Sequence, residues 1–142
     1  MSKKPLVVER LYDAPIEKLW QAITDKEQMK NWYFDVPAFE PVVGNLFTFT
    51  GENEGRTFLH LCEVKEVTPL KRLSYTWRYE GVEGSSLLTF ELFEEGHKTK
   101  LRLSHAGLET FPQNKDFQKE NFVGGWDYIL GTSLPNFLTD QQ

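Results

Sequence analysis

Apolar and polar side chains alternate between Leu46 and His105, whereas on either side of that stretch apolar residues recur every three or four positions. Alternation marks strands, because successive side chains there point to opposite faces; the longer period marks helices. The two-residue period runs through Leu46–Thr50, Arg56–Val67, Arg72–Tyr79, Ser86–Phe93 and Thr99–His105. The spacers 51–55, 68–71, 81–84 and 94–97 are short and carry Gly or Pro, so consecutive strands are expected to pair as hairpins in an antiparallel meander. Leu73, Tyr75, Trp77 and Tyr79 share one face of their strand against Ser74, Thr76 and Arg78. Leu88, Phe90 and Leu92 do the same on the next, and Leu101, Leu103 and His105 on the last. The apolar face so formed has to be covered.

The flanks supply the cover. Leu6–Tyr12 reads as a strand that runs into a helix at Asp13-Ala14-Pro15, with Pro15 suited to the first helical position, where its missing N–H would have had no partner. Ile16, Leu19, Trp20 and Ile23 form one apolar stripe. Asp25 followed by Gln28 resembles a capping box for a second short helix carrying Met29. Trp32-Tyr33-Phe34, followed by Pro37 and Pro41, is expected to be a loop that packs over something. In the last segment Phe122, Trp126, Ile129, Ser133 and Phe137, flanked by Val123, Leu130 and Leu134, fall on one helical arc of roughly 140°. Pro135 removes a backbone bond and predicts a kink or an early end there. No repeat, low-complexity tract or linker interrupts the chain, so a single domain over residues 1–142 is expected.

Composition narrows the function classes. Lys and Arg number 16 against 21 Asp and Glu, a net charge of −5, which weighs against a nucleic-acid partner. The lone Cys62 excludes an intramolecular disulfide and fits a reducing cytoplasm. Glu9 and Arg10 interrupt the N-terminus too soon for a secretory signal. Phe122–Thr139 carries only Asp127 as a charge, but Gly124, Gly125, Gly131, Pro135 and Asn136 make it a buried helix, with no membrane insertion expected. The apolar content leans towards rings, with 11 Phe, 5 Tyr and 4 Trp.

The motifs Asp13-Ala-Pro-x-x-x-x-Trp20, Thr24-Asp25, Trp32, Gly44 and Phe47/Phe49 are followed by Val67-Thr-Pro69-x-x-x-Leu73-x-Tyr-x-Trp77 and Leu88-Thr-Phe90-Glu-Leu92. Thr99-x-Leu-x-Leu-x-His105-x-Gly107 and Gly125-Trp126-x-x-Ile-Leu-Gly131-x-x-Leu134 complete the series. In element order the chain resembles the helix-grip fold of the START-like (SRPBCC) superfamily. In these motifs, over about residues 6 to 139, it resembles the bacterial branch homologous to the heat-shock-protein-90 ATPase activator, similar to that activator's C-terminal domain. The resemblance implies an α+β, helix-grip fold: a curved antiparallel sheet wrapped around a long C-terminal helix, with two short helices after the first strand and an apolar cavity between sheet and helix. It implies a ligand-binding or interaction module. Pro135 departs from the pattern, which bears on the shape of one end of that cavity.

The inward rings Tyr75, Trp77, Tyr79, Phe90, Trp126 and Phe137 either pack as core or, in a curved sheet that one helix does not fill, line a cavity for a small hydrophobic or aromatic molecule, with all of them but Tyr79 taken as candidate lining. Ile129 joins them from the helix, and Trp32 and Phe34 are placed near the mouth. His105 and Ser133 are the polar points on these apolar faces. Each either orients a ligand or is satisfied locally, His105 on a carbonyl at the strand end and Ser133 on the Ile129 carbonyl. His60 and Cys62 share a strand face about 6.5–7 Å apart, beyond thiolate–imidazole contact, so Cys62 reads as a structural thiol. His60, His97 and His105 fall on different elements and no metal-ligand spacing occurs, nor a phosphate loop or a Gly-x-Ser-x-Gly elbow. No metal, cofactor or catalytic residue is therefore assigned. Asp127, on the helix flank, reads as a surface contact. The alternatives are a chaperone-ATPase interaction module, against which stands the lack of room for the extra N-terminal domain of the eukaryotic activators, and a cyclase- or lyase-type enzyme using His105 or a Tyr as acid and base.

Overall fold

The computed structural model describes residues 4–53, 55–112, 117 and 119–140. The strands are β1 (Leu6–Tyr12), β2 (Leu46–Asn53), β3 (Arg56–Thr68), β4 (Arg72–Tyr79), β5 (Ser86–Glu95) and β6 (Lys98–Ala106). They pair in the order β1-β6-β5-β4-β3-β2, every neighbour antiparallel. Helices α1 (Ile16–Thr24) and α2 (Lys26–Trp32) follow β1, and the chain closes with α3 (Lys119–Tyr128), a wide turn over Ile129–Ser133, and α4 (Leu134–Asp140). The result is the expected α+β helix-grip arrangement of a curved sheet and a long C-terminal helix. A bulge between Val64 and Glu66 shifts the β3–β4 register, and such a bulge bends its strand and steepens the local twist.

The meander is as the alternation predicts, with its strands longer than the turn residues suggest. Gly51, read as part of a turn, is a strand residue paired with Phe58, and β2 continues to Asn53. Likewise β5 runs on through Glu95, so the hairpin turn contracts to Gly96 and His97, with Gly96 supplying the positive φ of 67°. Pro15 caps α1 from outside, its extended ψ of 158° aiming its carbonyl at the N–H groups of Lys18 and Leu19. Only half of the capping box forms: Asp25 Oδ1 accepts from Glu27 N at 3.0 Å, while the Gln28 amide turns to the Asp25 carboxylate at 3.4 Å. In α1, Leu19, Ala22 and Ile23 are buried and Trp20 is half-buried, so the stripe is narrower than its spacing suggests.

Pro135 does not end the helix early, since helical structure continues through it to Asp140. Instead the five residues before α4 open into a π turn, in which Leu134 N–H reaches back to the Ile129 carbonyl. An α-helical Pro135 would press its ring on the carbonyl four residues earlier, and the wider turn relieves that contact. The added residue rotates α4 about the helix axis. Trp126, Leu130, Leu134 and Leu138 are buried at a spacing of four, and Ser133 is moved towards the flank. Val123, placed on the covering arc, lies at its edge and is exposed.

Candidate functional site

A cavity of about 460 Å³ opens between the β2–β4 end of the sheet and α3. That falls within the roughly 300–1,000 Å³ typical of small-molecule sites. The sheet contributes Gly51 and Glu52 from β2, Phe58 and His60 from β3, and Trp77 and Tyr79 from β4. The helix contributes Phe122, Trp126 and Ile129 together with Glu120, Asn121 and the glycine pair, and Phe34 and Phe117 complete the wall. Space exists here partly because Gly124 and Gly125 put no side chain where the helix passes; a Cβ on either would meet nothing within 4 Å.

The rings meet at steep angles, as the walls of a box do. Trp77 and Trp126 form a corner, centroids 5.4 Å apart and planes at 62°. His60 stacks on Phe49 at 4.3 Å and 12° and stands edge-on to Trp77 at 4.7 Å and 84°. Trp77 Nε1 donates to the Tyr79 hydroxyl at 2.9 Å. That bond leaves the Tyr79 proton available to a group placed in the cavity, and burial pushes the hydroxyl up to about 12, so the proton is retained. His60 Nδ1 lies 3.1 Å from the Phe58 carbonyl, which can only accept, so Nδ1 carries the ring proton and Nε2 keeps a lone pair. Burial pulls the His60 pKa down to about 4 against the opposing pull of the Phe58 and Phe49 carbonyls. The ring is neutral at pH 7.

Behind this wall lies a closed polar chain. Ser86 Oγ donates to the Trp77 carbonyl at 2.7 Å and contacts His105 Nε2 at 2.8 Å, and Trp126 Nε1 donates to His105 Nδ1 at 3.2 Å. An indole N–H can only donate, so Nδ1 is the acceptor, Nε2 bears the proton and Ser86 receives it. Burial, with His60 nearby as a smaller cause, drives the His105 pKa down to about 3. His105 is therefore satisfied by Trp126 and Ser86 rather than by a strand-end carbonyl. Both of its nitrogens are engaged inside the core, which leaves neither to act as acid or base on a cavity ligand.

Four of the expected lining residues, Phe34, Trp77, Trp126 and Ile129, are in the wall. The others stand outside it. Tyr75, Phe90 and Phe137 are core, and the Tyr75 hydroxyl pairs with that of Tyr33 at 2.6 Å. Trp32 is buried and donates from Nε1 to the Ala22 carbonyl at 3.0 Å, clamping α2 to α1. Ser133 donates to the Trp32 carbonyl at 2.7 Å, not to that of Ile129. Tyr79 and Phe122 carried a signal in the alternation and the helical arc; Glu52 and Glu120, exposed at the opening, carried none. Asp127 makes the surface contact expected of it, an ion pair with Arg10 at 2.9 Å. Cys62 is buried, and burial pushes its thiol well above the ordinary range, so it is inert. Among the described residues no group of His, Cys, Asp and Glu could hold a metal ion, and no helix is long and apolar enough to cross a membrane.

A curved antiparallel sheet gripping a C-terminal helix, with a ring-lined cavity between them, defines a domain of the START-like superfamily. Within it, residues 13–139 match the family described as activator of Hsp90 ATPase homolog 1-like protein, and the chain belongs to that family. No curated protein matches it. Among solved structures, the MLL2253 protein of Mesorhizobium loti is 29% identical, with 98% of this chain and 99% of that one covered and a TM-score of 0.78. CalU16 of Micromonospora echinospora is 26% identical over 94% of this chain and 73% of its own, with a TM-score of 0.73. DynU16, a protein of the dynemicin biosynthetic locus, shares the fold at 20% identity and a TM-score of 0.80, with 99% of this chain and 49% of that one covered.

Proposed function

We propose that this protein binds a small apolar or aromatic molecule in the cavity between β2–β4 and α3, in a reducing cytoplasm that keeps Cys62 a thiol. The carrying observation is the 460 Å³ space walled by Trp77, Tyr79, Phe122 and Trp126, with the polar groups behind it already paired. A ligand there buries apolar surface against the Trp77–Trp126 corner and meets few polar points, the Tyr79 hydroxyl and His60 Nε2 among them. Apolar burial supplies the affinity, and the polar points set the orientation. Titration with the neutral fluorophore N-phenyl-1-naphthylamine tests this. Saturable one-to-one enhancement that indole displaces supports the reading, and no enhancement at a saturating concentration rejects it.

The family description favours a second reading, interaction with a chaperone ATPase. Adding the chain in excess to the cognate chaperone and measuring ATP hydrolysis decides it: stimulation supports the reading, and an unchanged rate removes it.

A further inference from the structure

We propose that the cavity selects its ligand by charge, taking an aromatic body that carries a cationic amine in preference to the same body carrying a carboxylate. This rests on the cavity being a ligand site. The charged residues among its described lining are Glu52 on β2 and Glu120 in the first turn of α3; no Lys or Arg is among them. Both carboxylates are exposed, so they stand at the opening, where a polar end of a bound molecule would emerge. Deeper in, the wall is made of rings, whose faces are the negative part of their quadrupole and attract cations. His60 does not reverse this sign, because its one ring proton is committed to the Phe58 carbonyl, which leaves no ring N–H for an anion. Two features favour an anion, and both are outweighed. The N-terminal end of α3 carries about half a positive charge and begins with the exposed Lys119, which is outside the described lining; Glu120 in the first turn and Glu52 on β2, both in the lining, offset it. The Tyr79 hydroxyl supplies one neutral donor, too little to hold a carboxylate facing two others.

Calorimetric titration at low salt with 3-methylindole, tryptamine and indole-3-acetate tests the proposal, since the three share an indole body and differ in charge. Tryptamine is expected to bind roughly tenfold more tightly than indole-3-acetate, with 3-methylindole between them and the spread narrowing as salt is added. In the Glu52→Gln/Glu120→Gln variant, whose changes lie on exposed side chains, the ratio of tryptamine to indole-3-acetate affinity should shrink several-fold. If indole-3-acetate binds as well as tryptamine, or the advantage survives the double variant intact, charge selection is overturned while the cavity remains a ligand site. If none of the three binds, the reading of the cavity as an aromatic site falls with it.

Discussion

The Tyr12 hydroxyl donates to the Leu130 carbonyl at 2.7 Å, joining β1 to the turn that precedes α4. The bond answers a vacancy that Pro135 creates. In the π register Leu134 N–H is drawn to Ile129, and the next donor in line for Leu130 is residue 135, a proline with no N–H. Burial raises the Tyr12 hydroxyl well above its ordinary pKa, so it stays a donor.

Tyr12→Phe should therefore cost about 1–3 kcal/mol, the penalty for an unsatisfied buried carbonyl. In a Pro135→Ala background residue 135 regains a donor, and the same change should cost less by at least ~0.5 kcal/mol. Urea melts of the four members of this cycle measure the coupling. Strict additivity would mean that Tyr12 and Pro135 are unrelated.

The two buried histidines make stability depend on pH. Their folded pKa values, about 4 for His60 and about 3 for His105, lie below the 6.5 of an unperturbed ring. Between those values the unfolded chain binds more protons than the folded one, so stability rises with pH in that window. The contribution is fully present well above pH 6.5 and is lost as pH falls towards 3–4, the loss amounting to roughly 3 kcal/mol for each ring at pH 4. His60→Phe keeps an aromatic ring beside Phe49 and should flatten the pH dependence of the urea midpoint. Imidazole NMR titration checks the cause directly: either ring titrating near 6.5 in the folded protein would contradict it.

Position 51, within β2, takes glycine because His60 leaves no room for a side chain there. A Cβ at Gly51 would fall 2.7 Å from His60 Cε1, and that ring is held between Phe49 and Trp77. Gly51→Ala should displace the imidazole and cost about 1–3 kcal/mol, as overpacking does. It should also weaken N-phenyl-1-naphthylamine binding, since both residues line the cavity. A variant as stable as the parent, with unaltered His60 resonances, would show that the ring does not exclude a side chain at position 51.

The sheet could be read from the chain because alternation is a local signal, repeated along each strand. Trp77 and Trp126 could be placed facing the interior for the same reason, one by strand parity and the other by helical arc. The partners of His105 could not, since its contact with Ser86 depends on a β5–β6 pairing that sets Leu88 against His105 and Leu87 against Ala106. The π turn was equally hidden: Pro135 signals a disturbance, and its resolution lies in Tyr12, on the first strand. The cavity itself is space, and periodicity reports only the side chains that are present. Phe90 and Tyr75 point inward as Trp77 does, yet they meet Tyr33 and Phe47 and are filled in, whereas beside Gly124 and Gly125 the interior stays open.

A crystal of the protein soaked in indole is the most direct measurement of whether that space is a binding site. Difference density for one indole ring within the box, against the Trp77–Trp126 corner and within reach of Tyr79 and His60, is the predicted result. Density at another place on the molecule, or a site that stays empty at an indole concentration that displaces N-phenyl-1-naphthylamine in solution, would contradict it.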